Sequence, residues 1–209
     1  SSTSRGLGDV YKRQVPGPDL RLRLAALMHD IGKPATRRFM PDGTVTFHAH
    51  DYVGARMTAK RMRALHFDKQ TIKDVSRLVE LHLRFHGYAD SPWSDSAVRR
   101  YVTDAGPLLA RLGCLTRADV TTGNRRKAAM LSHAYDDLER RIEALRQQEE
   151  LASIRPELDG QEIMAELGIK PGPEVGKAYK FLLDLRMERG PIGKELAREA
   201  LHSWWATQQ

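Results

Sequence analysis

The stretch LRLRLAALMHDIG, residues 20–32, decides the fold class, because its large apolar side chains recur at helical spacing. Successive apolar positions are three, four or one residue apart, so they form one stripe along a helix. They are Leu20, Leu24, Leu27, Met28 and Ile31. Gly32 and Pro34 then end the pattern, since neither continues a helix well. The stretch predicts an amphipathic α-helix whose apolar face packs into a core.

Outward from this stretch the chain keeps its helical character. Asp51, Asp68 and Ser94 are placed to cap further helices, and another helix is predicted over 108–122. One long helix is predicted over 124–154, and three short helices separated by Gly and Pro follow it. No β-alternation of useful length appears. The predicted fold class is all-α: a helical bundle, a long helix and a small helical tail domain.

Four segments are predicted along the chain. Residues 1–14 have no helical or strand period and are predicted to be a non-native or disordered leader; the missing initiating Met predicts a truncated chain. Residues 15–125 form the bundle, with an irregular connection over 35–50. Residues 126–154 form the long connecting helix, and 155–209, which begin with an Arg-Pro break, form the tail domain.

Composition limits the classes of function. The chain has 209 residues, with 34 Lys and Arg against 27 Asp and Glu, so its net charge is +7. This excess permits a nucleic acid partner without demanding one. A hydrophobic fraction of 41% excludes a disordered chain, and no apolar run is long enough to span a membrane. The single cysteine, Cys114, excludes an internal disulfide and a Cys-rich zinc site, so a reducing, cytoplasmic setting is expected.

The histidines carry the most chemical information. His29-Asp30 ends the first apolar helix and His50-Asp51 begins the next. A neutral imidazole and a carboxylate at a helix end can converge on a divalent ion such as Mn, Fe, Zn, Ni or Mg. Such an ion lowers the pKa of a bound water and clamps a phosphate oxygen, which is phosphohydrolase chemistry. The alternative is a helix-end histidine bonded to the backbone, beside an exposed aspartate.

A second pair of histidines is four residues apart. The spacing predicts that His82 and His86 lie on one face of a single helix, within its apolar stripe. Two interpretations stay open for this pair: ligands of a metal or phosphate, or core histidines bonded to carbonyl groups.

Two clusters of basic residues are candidates for phosphate contacts. Each contact from Lys or Arg adds salt-sensitive, sequence-independent affinity, and double-stranded RNA is recognised largely through its shape and backbone. The first cluster consists of Arg56, Lys60, Arg61 and Arg63. The second consists of Arg117, Asn124, Arg125, Arg126 and Lys127. The alternative for either cluster is an ordinary solvated helix face. The turn over 168–176 suits a phosphate at a helix N-terminus, or is only a sharp corner.

Several segments together resemble the HD-domain superfamily, and more closely the body of bacterial CCA-adding tRNA nucleotidyltransferases of the poly(A) polymerase-like family, in their actinobacterial form. They are LRLAALMHDIGKPATR at 22–37, FHAHDYVGARM at 47–57, LVELHLRFHGY at 78–88, RADVTTGNRRKA at 117–128 and the tail at 158–190. Asp51 stands where this family usually has Glu. The resemblance covers Gly17 to about Trp205. It implies an HD-domain-like bundle over 15–125 and an RNA-binding type of tail over 155–209.

The resemblance also implies a divalent metal, Mg, Mn, Ni or Zn. The implied ligands are His29, Asp30 and Asp119, with His50 as a further candidate. The secondary candidates are His48, His82 and His86. The family's first histidine would fall within residues 1–5, where there is none, so His50 or His48 would have to compensate. Lys33 joins the basic clusters as an implied phosphate or RNA contact.

The remaining expectation concerns the polymerising head that the family carries. The family's head carries a Gly-rich loop and an Asp-x-Asp pair, and neither occurs here, so no CCA addition from CTP and ATP is predicted for this chain by itself. The first hypothesis is a C-terminal body and tail that binds the tRNA acceptor arm. The second is an HD phosphohydrolase acting on nucleotides or phosphoesters. The third is a purely structural helical module.

Overall fold

Helices dominate the computed structural model, which describes residues 18–91, 93–119, 125–149 and 154–208. This confirms the all-α class. The first helices are α1 (Leu20–Met28), α2 (Lys33–Thr36), α3 (His50–Ala64), α4 (Lys69–Leu81), α5 (His86–Asp90) and α6 (Asp95–Ala105). A 3₁₀ turn (Gly106–Leu108) leads into α7 (Leu109–Ala118), α8 (Arg125–Gln148), α9 (Gly160–Leu167), α10 (Pro173–Arg189) and α11 (Lys194–Ala206). No helix in the described ranges is long and apolar enough to cross a membrane.

Two compact units divide the described residues. The first takes those of Ser1–Pro92 and Ala105–Arg140, and the second takes those of Trp93–Asp104 and Arg141–Gln209. In the first unit α4 packs against α1 and α3. The fully buried side chains of this core include Met62, Val75, Leu78, Val79, Phe85 and Leu112. The second unit has its own cluster of buried residues: Leu158, Ile163, Ala178, Leu182, Ala197 and Leu201.

Only part of the apolar stripe predicted for the first helix is buried. Leu27 is 78% exposed and Leu20 is 59% exposed, whereas Ala25 and Met28 are buried. The helix also ends at Met28, before Gly32. The sequence offers apolar residues on more than one side of α1, and periodicity alone does not choose between them. The choice comes from the neighbours, because α1 turns its small Ala25 towards α4 and α7.

The region over 35–50, predicted to be irregular, contains α2 and a small antiparallel hairpin. Its strands are β1 (Arg38–Phe39) and β2 (Val45–Thr46), joined by the predicted Pro41–Gly43 turn. Asp42 accepts a hydrogen bond from the Thr44 amide, which stabilises that turn. The hairpin returns the chain to the bundle just before α3.

The helix caps were partly predictable. Asp68 caps α4 by accepting a hydrogen bond from the Thr71 amide, as predicted. Asp51 is not a cap, because α3 begins one residue earlier, after Ala49 in the left-handed conformation. The long helix α8 buries the stripe expected of it. Its buried apolar residues are Leu131, Tyr135, Leu138, Ile142 and Leu145.

Candidate metal centre

Three histidine rings meet where three helices of the first unit begin or end. His29 follows the last residue of α1, His50 is the first residue of α3, and His82 follows the last residue of α4. The ring centroids of His29 and His82 are 5.3 Å apart, and those of His50 and His82 are also 5.3 Å apart. His82 is therefore the central ring of the three, which the sequence placed only among the secondary candidates.

All three rings are held in the same way. The Nδ1 atom of each lies within hydrogen-bond distance of the carbonyl oxygen three residues earlier. These oxygens belong to Ala26, Phe47 and Val79, at 2.8, 2.9 and 2.6 Å. A carbonyl oxygen can only accept, so Nδ1 is the donor and the Nε2 atom of a neutral ring keeps its lone pair. This is the arrangement in which a histidine binds a metal through Nε2.

Two carboxylates lie among these rings. Asp30 Oδ2 is 3.4 Å from His29 Nε2, and Asp30 Oδ1 is 3.4 Å from His50 Nε2. Asp119, which follows the last residue of α7, approaches His29 Nε2 to 3.0 Å through Oδ1. The fold thus brings Asp119 beside the His29-Asp30 pair, as the resemblance implied, although 89 residues separate Asp119 from Asp30 in the sequence.

Lys33 orients the central carboxylate. Its Nζ donates to Asp30 Oδ2 at 2.6 Å and lies 5.9 Å from the centroid of the Phe47 ring. Partial burial by itself would raise the pKa of Asp30, but the hydrogen bond from Lys33 and the positive charge of Lys33 outweigh it and hold the pKa below its ordinary value. Asp30 is therefore an anionic oxygen donor near neutral pH.

The buried nitrogens at the centre lack partners. Within the described part of the chain, neither His50 Nε2 nor His82 Nε2 has a hydrogen-bond partner, and both residues are buried. Burial lowers the pKa of His82, so this ring is neutral at neutral pH. An unsatisfied buried polar atom is costly, and a bound ligand would remove that cost. The ligand atoms of Asp30, His50 and His82 lie within 4.8 Å of one another. This mixed nitrogen and oxygen set suits a divalent ion.

A glycine allows the elements of the centre to approach closely. A Cβ atom on Gly32 would lie 2.1 Å from the carbonyl oxygen of His50 and 2.8 Å from the amide nitrogen of Gly54. No side chain fits at that separation. Gly32 therefore lets the chain after α1 lie directly against the start of α3, which brings Asp30 and His50 together.

The other predicted histidines lie elsewhere. The expectation that His82 and His86 share a helix face is wrong, because α4 ends at Leu81 and a turn separates the two residues. His82 is buried and His86 is exposed. His48 is exposed as well. Among the described residues, neither His48 nor His86 belongs to the group whose ligand atoms converge.

The first basic cluster lies on α3, the helix that begins with His50. Arg56, Lys60, Arg61 and Arg63 are all exposed. Arg56, Lys60 and Arg63 follow at four-residue and three-residue spacing, so they share one face of the helix. The guanidinium of Arg56 lies over the Tyr52 ring, 5.1 Å from its centroid.

The second basic cluster is only partly described. Arg126 and Lys127 are exposed in the first turn of α8, whereas Asn124 and the side chain of Arg125 lie outside the described residues. Arg117 is engaged within the unit. Its Nη2 lies 2.9 Å from carboxylate oxygens of Asp136 and Glu139, and its guanidinium covers the Tyr135 ring. Arg117 thus has a packing role that its sequence position did not indicate.

Comparison with known proteins identifies a family and two relatives for this chain. Residues 4–124 match the protein-family model described as HD domain. The chain is 38% identical over 193 residues to the CC-adding tRNA nucleotidyltransferase of Thermus thermophilus, which covers 90% of this chain and 41% of that protein. It is 35% identical over 196 residues to the A-adding tRNA nucleotidyltransferase of Deinococcus radiodurans, covering 92% and 43%. The chain spans about two fifths of the length of these curated relatives.

Proposed function

The chain belongs to the HD-domain family, and from this premise we propose that it is the body and tail of a tRNA nucleotidyltransferase-like protein. In this proposal it binds the acceptor region of tRNA and holds a divalent metal ion beside it. The observation that carries the proposal is the pair of buried, unpartnered Nε2 atoms of His50 and His82 beside the ionised Asp30.

The residues at this centre have different roles in the proposal. Asp30, His50 and His82 would hold the ion. The Nδ1 hydrogen bonds orient the two histidine rings, and the hydrogen bond from Lys33 orients Asp30. His29 and Asp119 stand beside them, with His29 Nε2 3.0 Å from Asp119 Oδ1, and can complete the ligand set or position a water. A bound divalent ion would supply Lewis acidity towards water and a phosphate oxygen.

Basic residues in two clusters would bind the RNA backbone. Arg56, Lys60 and Arg63 extend along the helix that starts at the centre, and Arg125, Arg126 and Lys127 form the second candidate surface. Two curated relatives are tRNA nucleotidyltransferases, which makes tRNA the favoured polyanion. Contacts of this kind are independent of sequence and weaken as salt increases.

The RNA part of the proposal is tested by the salt dependence of binding. The double variant Arg56→Gln, Lys60→Gln should weaken binding of a tRNA acceptor stem at low salt, because up to two phosphate contacts are lost. The slope of log Kd against log salt should fall by about 1 for each contact. Fluorescence anisotropy over a salt series measures both quantities.

The matched control is Lys69→Gln, Lys73→Gln, which removes two exposed charges from α4. It should leave the slope unchanged. Equal losses in the two double variants would indicate a general charge effect and would contradict a binding surface on α3.

A second function, metal-dependent hydrolysis of phosphoesters or nucleotides, is favoured by the same unpartnered nitrogens together with Lys33. Release of phosphate from a model phosphomonoester should require Mn, Ni or Mg and should be lost in His50→Ala. If the protein binds the ion but releases no phosphate with any of these ions, hydrolysis is excluded and the centre has a binding role only.

A further inference from the structure

The hairpin between α2 and α3 exposes an apolar face. Phe39 is 70% exposed and Val45 is 41% exposed. The two residues are directly opposite each other in the β1–β2 register, so their side chains lie side by side on one face of the hairpin. Met40, which follows Phe39, is 44% exposed. The Phe39 ring and its neighbours Val45 and Met40 contribute little to the buried core.

The hairpin is nevertheless well held at its tip. The Met40 amide donates to the Thr44 carbonyl, and the Thr44 amide and hydroxyl both donate to Asp42. A two-stranded hairpin alone is only marginally stable, and an exposed cluster of large apolar side chains marks an interaction surface more often than a neutral one. A held tip that presents a largely exposed aromatic ring fits a flat, apolar partner group.

The charges around the ring select the partner. The Arg37 guanidinium lies over the Phe39 ring, 5.1 Å from its centroid, and Arg38 is exposed on the neighbouring residue. Asp42 is the acidic residue of this segment, and its carboxylate is occupied by Thr44 at the far end of the turn. Proteins bind unpaired bases by stacking them on aromatic rings, with guanidinium groups nearby to contact the base or its phosphate.

The hairpin leads directly to the histidine cluster. Val45 and Phe47 are only two positions apart, about 7 Å along an extended chain. The carbonyl of Phe47 accepts from His50, and its ring lies beneath Lys33. A strand whose base stacks on Phe39 could therefore continue towards Asp30 and His50.

We propose that Phe39, with Arg37 over its ring and Val45 beside it, is a stacking surface for an unpaired base near the 3′ end of an RNA strand. This proposal rests on the proposed RNA-binding function and names the part of the RNA that the unit recognises: a single-stranded end next to a duplex. The exposed basic residues on α3 would contact the duplex backbone.

The test compares two RNAs with the full chain. One is a labelled duplex with a short unpaired 3′ tail, and the other is the same duplex with a blunt end. The wild-type protein should bind the tailed RNA more tightly. Phe39→Ala should weaken binding of the tailed RNA by about 5- to 150-fold and leave the blunt duplex almost unchanged.

Further variants separate stacking from simple apolar contact. Phe39→Leu should behave like Phe39→Ala, because it keeps apolar bulk but has no ring, whereas Phe39→Trp should retain affinity. Leu20→Ala, which truncates another exposed apolar residue, is the control and should bind as the wild type does.

The outcomes distinguish this proposal from the function on which it rests. If the wild type binds neither RNA, the proposed function fails and the stacking surface fails with it. If it binds both RNAs and the Phe39 variants change neither affinity, only the stacking surface is wrong. A Phe39→Ala variant that loses self-association in sedimentation experiments, but keeps its preference for the tailed RNA, would also overturn the proposal and identify a protein contact instead.

Discussion

Replacing Glu149 by Gln is expected to destabilise the protein by about 3–5 kcal/mol, because it removes the one carboxylate shared by two buried arginines. Arg99 Nε donates to Glu149 Oε1 at 2.9 Å, and Arg186 Nη1 donates to Oε2 at 2.8 Å. The exposed fractions of the Arg99, Arg186 and Glu149 side chains are only 8, 10 and 2%. A neutral amide offers one acceptor oxygen in place of two and carries no negative charge, so Arg99 loses its carboxylate and Arg186 keeps only the longer contact to Glu157, 3.7 Å from its Nε.

Urea denaturation followed by circular dichroism measures this loss. It is a large part of the roughly 5–15 kcal/mol that stabilises an ordinary domain, so the variant should be partly unfolded at moderate temperature. The control is Glu188→Gln, which removes the partner of Arg100 in an exposed pair. Exposed pairs contribute about 1 kcal/mol or less. Equal effects of the two substitutions would contradict a special role for the buried network.

The same network offers a second comparison. Replacing Arg99, Glu149 and Arg186 together by apolar residues of similar size should be much less harmful than Glu149→Gln alone, since the two buried guanidinium charges are then removed together with the carboxylate that they share. A triple variant as unstable as the single variant would show that packing, rather than charge, explains the loss.

Replacing His82 by Ala is expected to weaken metal binding by more than about 100-fold, because it removes one of the three converging ligand atoms and opens a space at the centre. Isothermal titration calorimetry with Ni, Mn and Zn measures the affinity. His86→Ala is the matched control, since His86 is four residues further along, exposed and outside the converging group. Unchanged metal affinity in His82→Ala would exclude this ring as a ligand.

His82 also links stability to pH in the metal-free protein. Burial lowers its pKa in the folded state, so the unfolded chain binds more protons as the pH falls below the ordinary histidine pKa of about 6.5. As the pH falls from about 6.5 to the folded-state pKa of His82, this residue should therefore lower the free energy of unfolding. Below the folded-state pKa it should cause no further change. The His82→Ala variant should lack that part of the pH dependence.

Local pattern was sufficient for much of the fold. The all-α class, the Asp68 cap of α4 and the buried stripe of α8 depend on spacing and on side-chain contacts with the adjacent backbone, which a single segment contains. The pairing of the His29-Asp30 dipeptide with Asp119 came from the family resemblance, and the distances agree with it. Spacing within one segment carries no information about such a long-range pair.

Other features depended on neighbours that are distant in sequence. The helical period of the first stretch allowed more than one buried face, and the packing of α1 against α4 left Leu27 outside. The spacing of His82 and His86 suggested a common face, but the helix ends between them. Glu149 pairs with Arg99, 50 residues earlier, and with Arg186, 37 residues later, and spacing within one segment does not indicate pairs at such separations.

The sequence by itself determined that this chain is helical, where most of its helices begin, and that a histidine-aspartate pair ends the first of them. Only the tertiary structure decided which histidines converge, which arginines are buried and which aromatic ring is left exposed on the hairpin. The physical reason is that hydrogen bonding within a helix is local. Burial and charge compensation, by contrast, depend on which surfaces meet after the chain has folded.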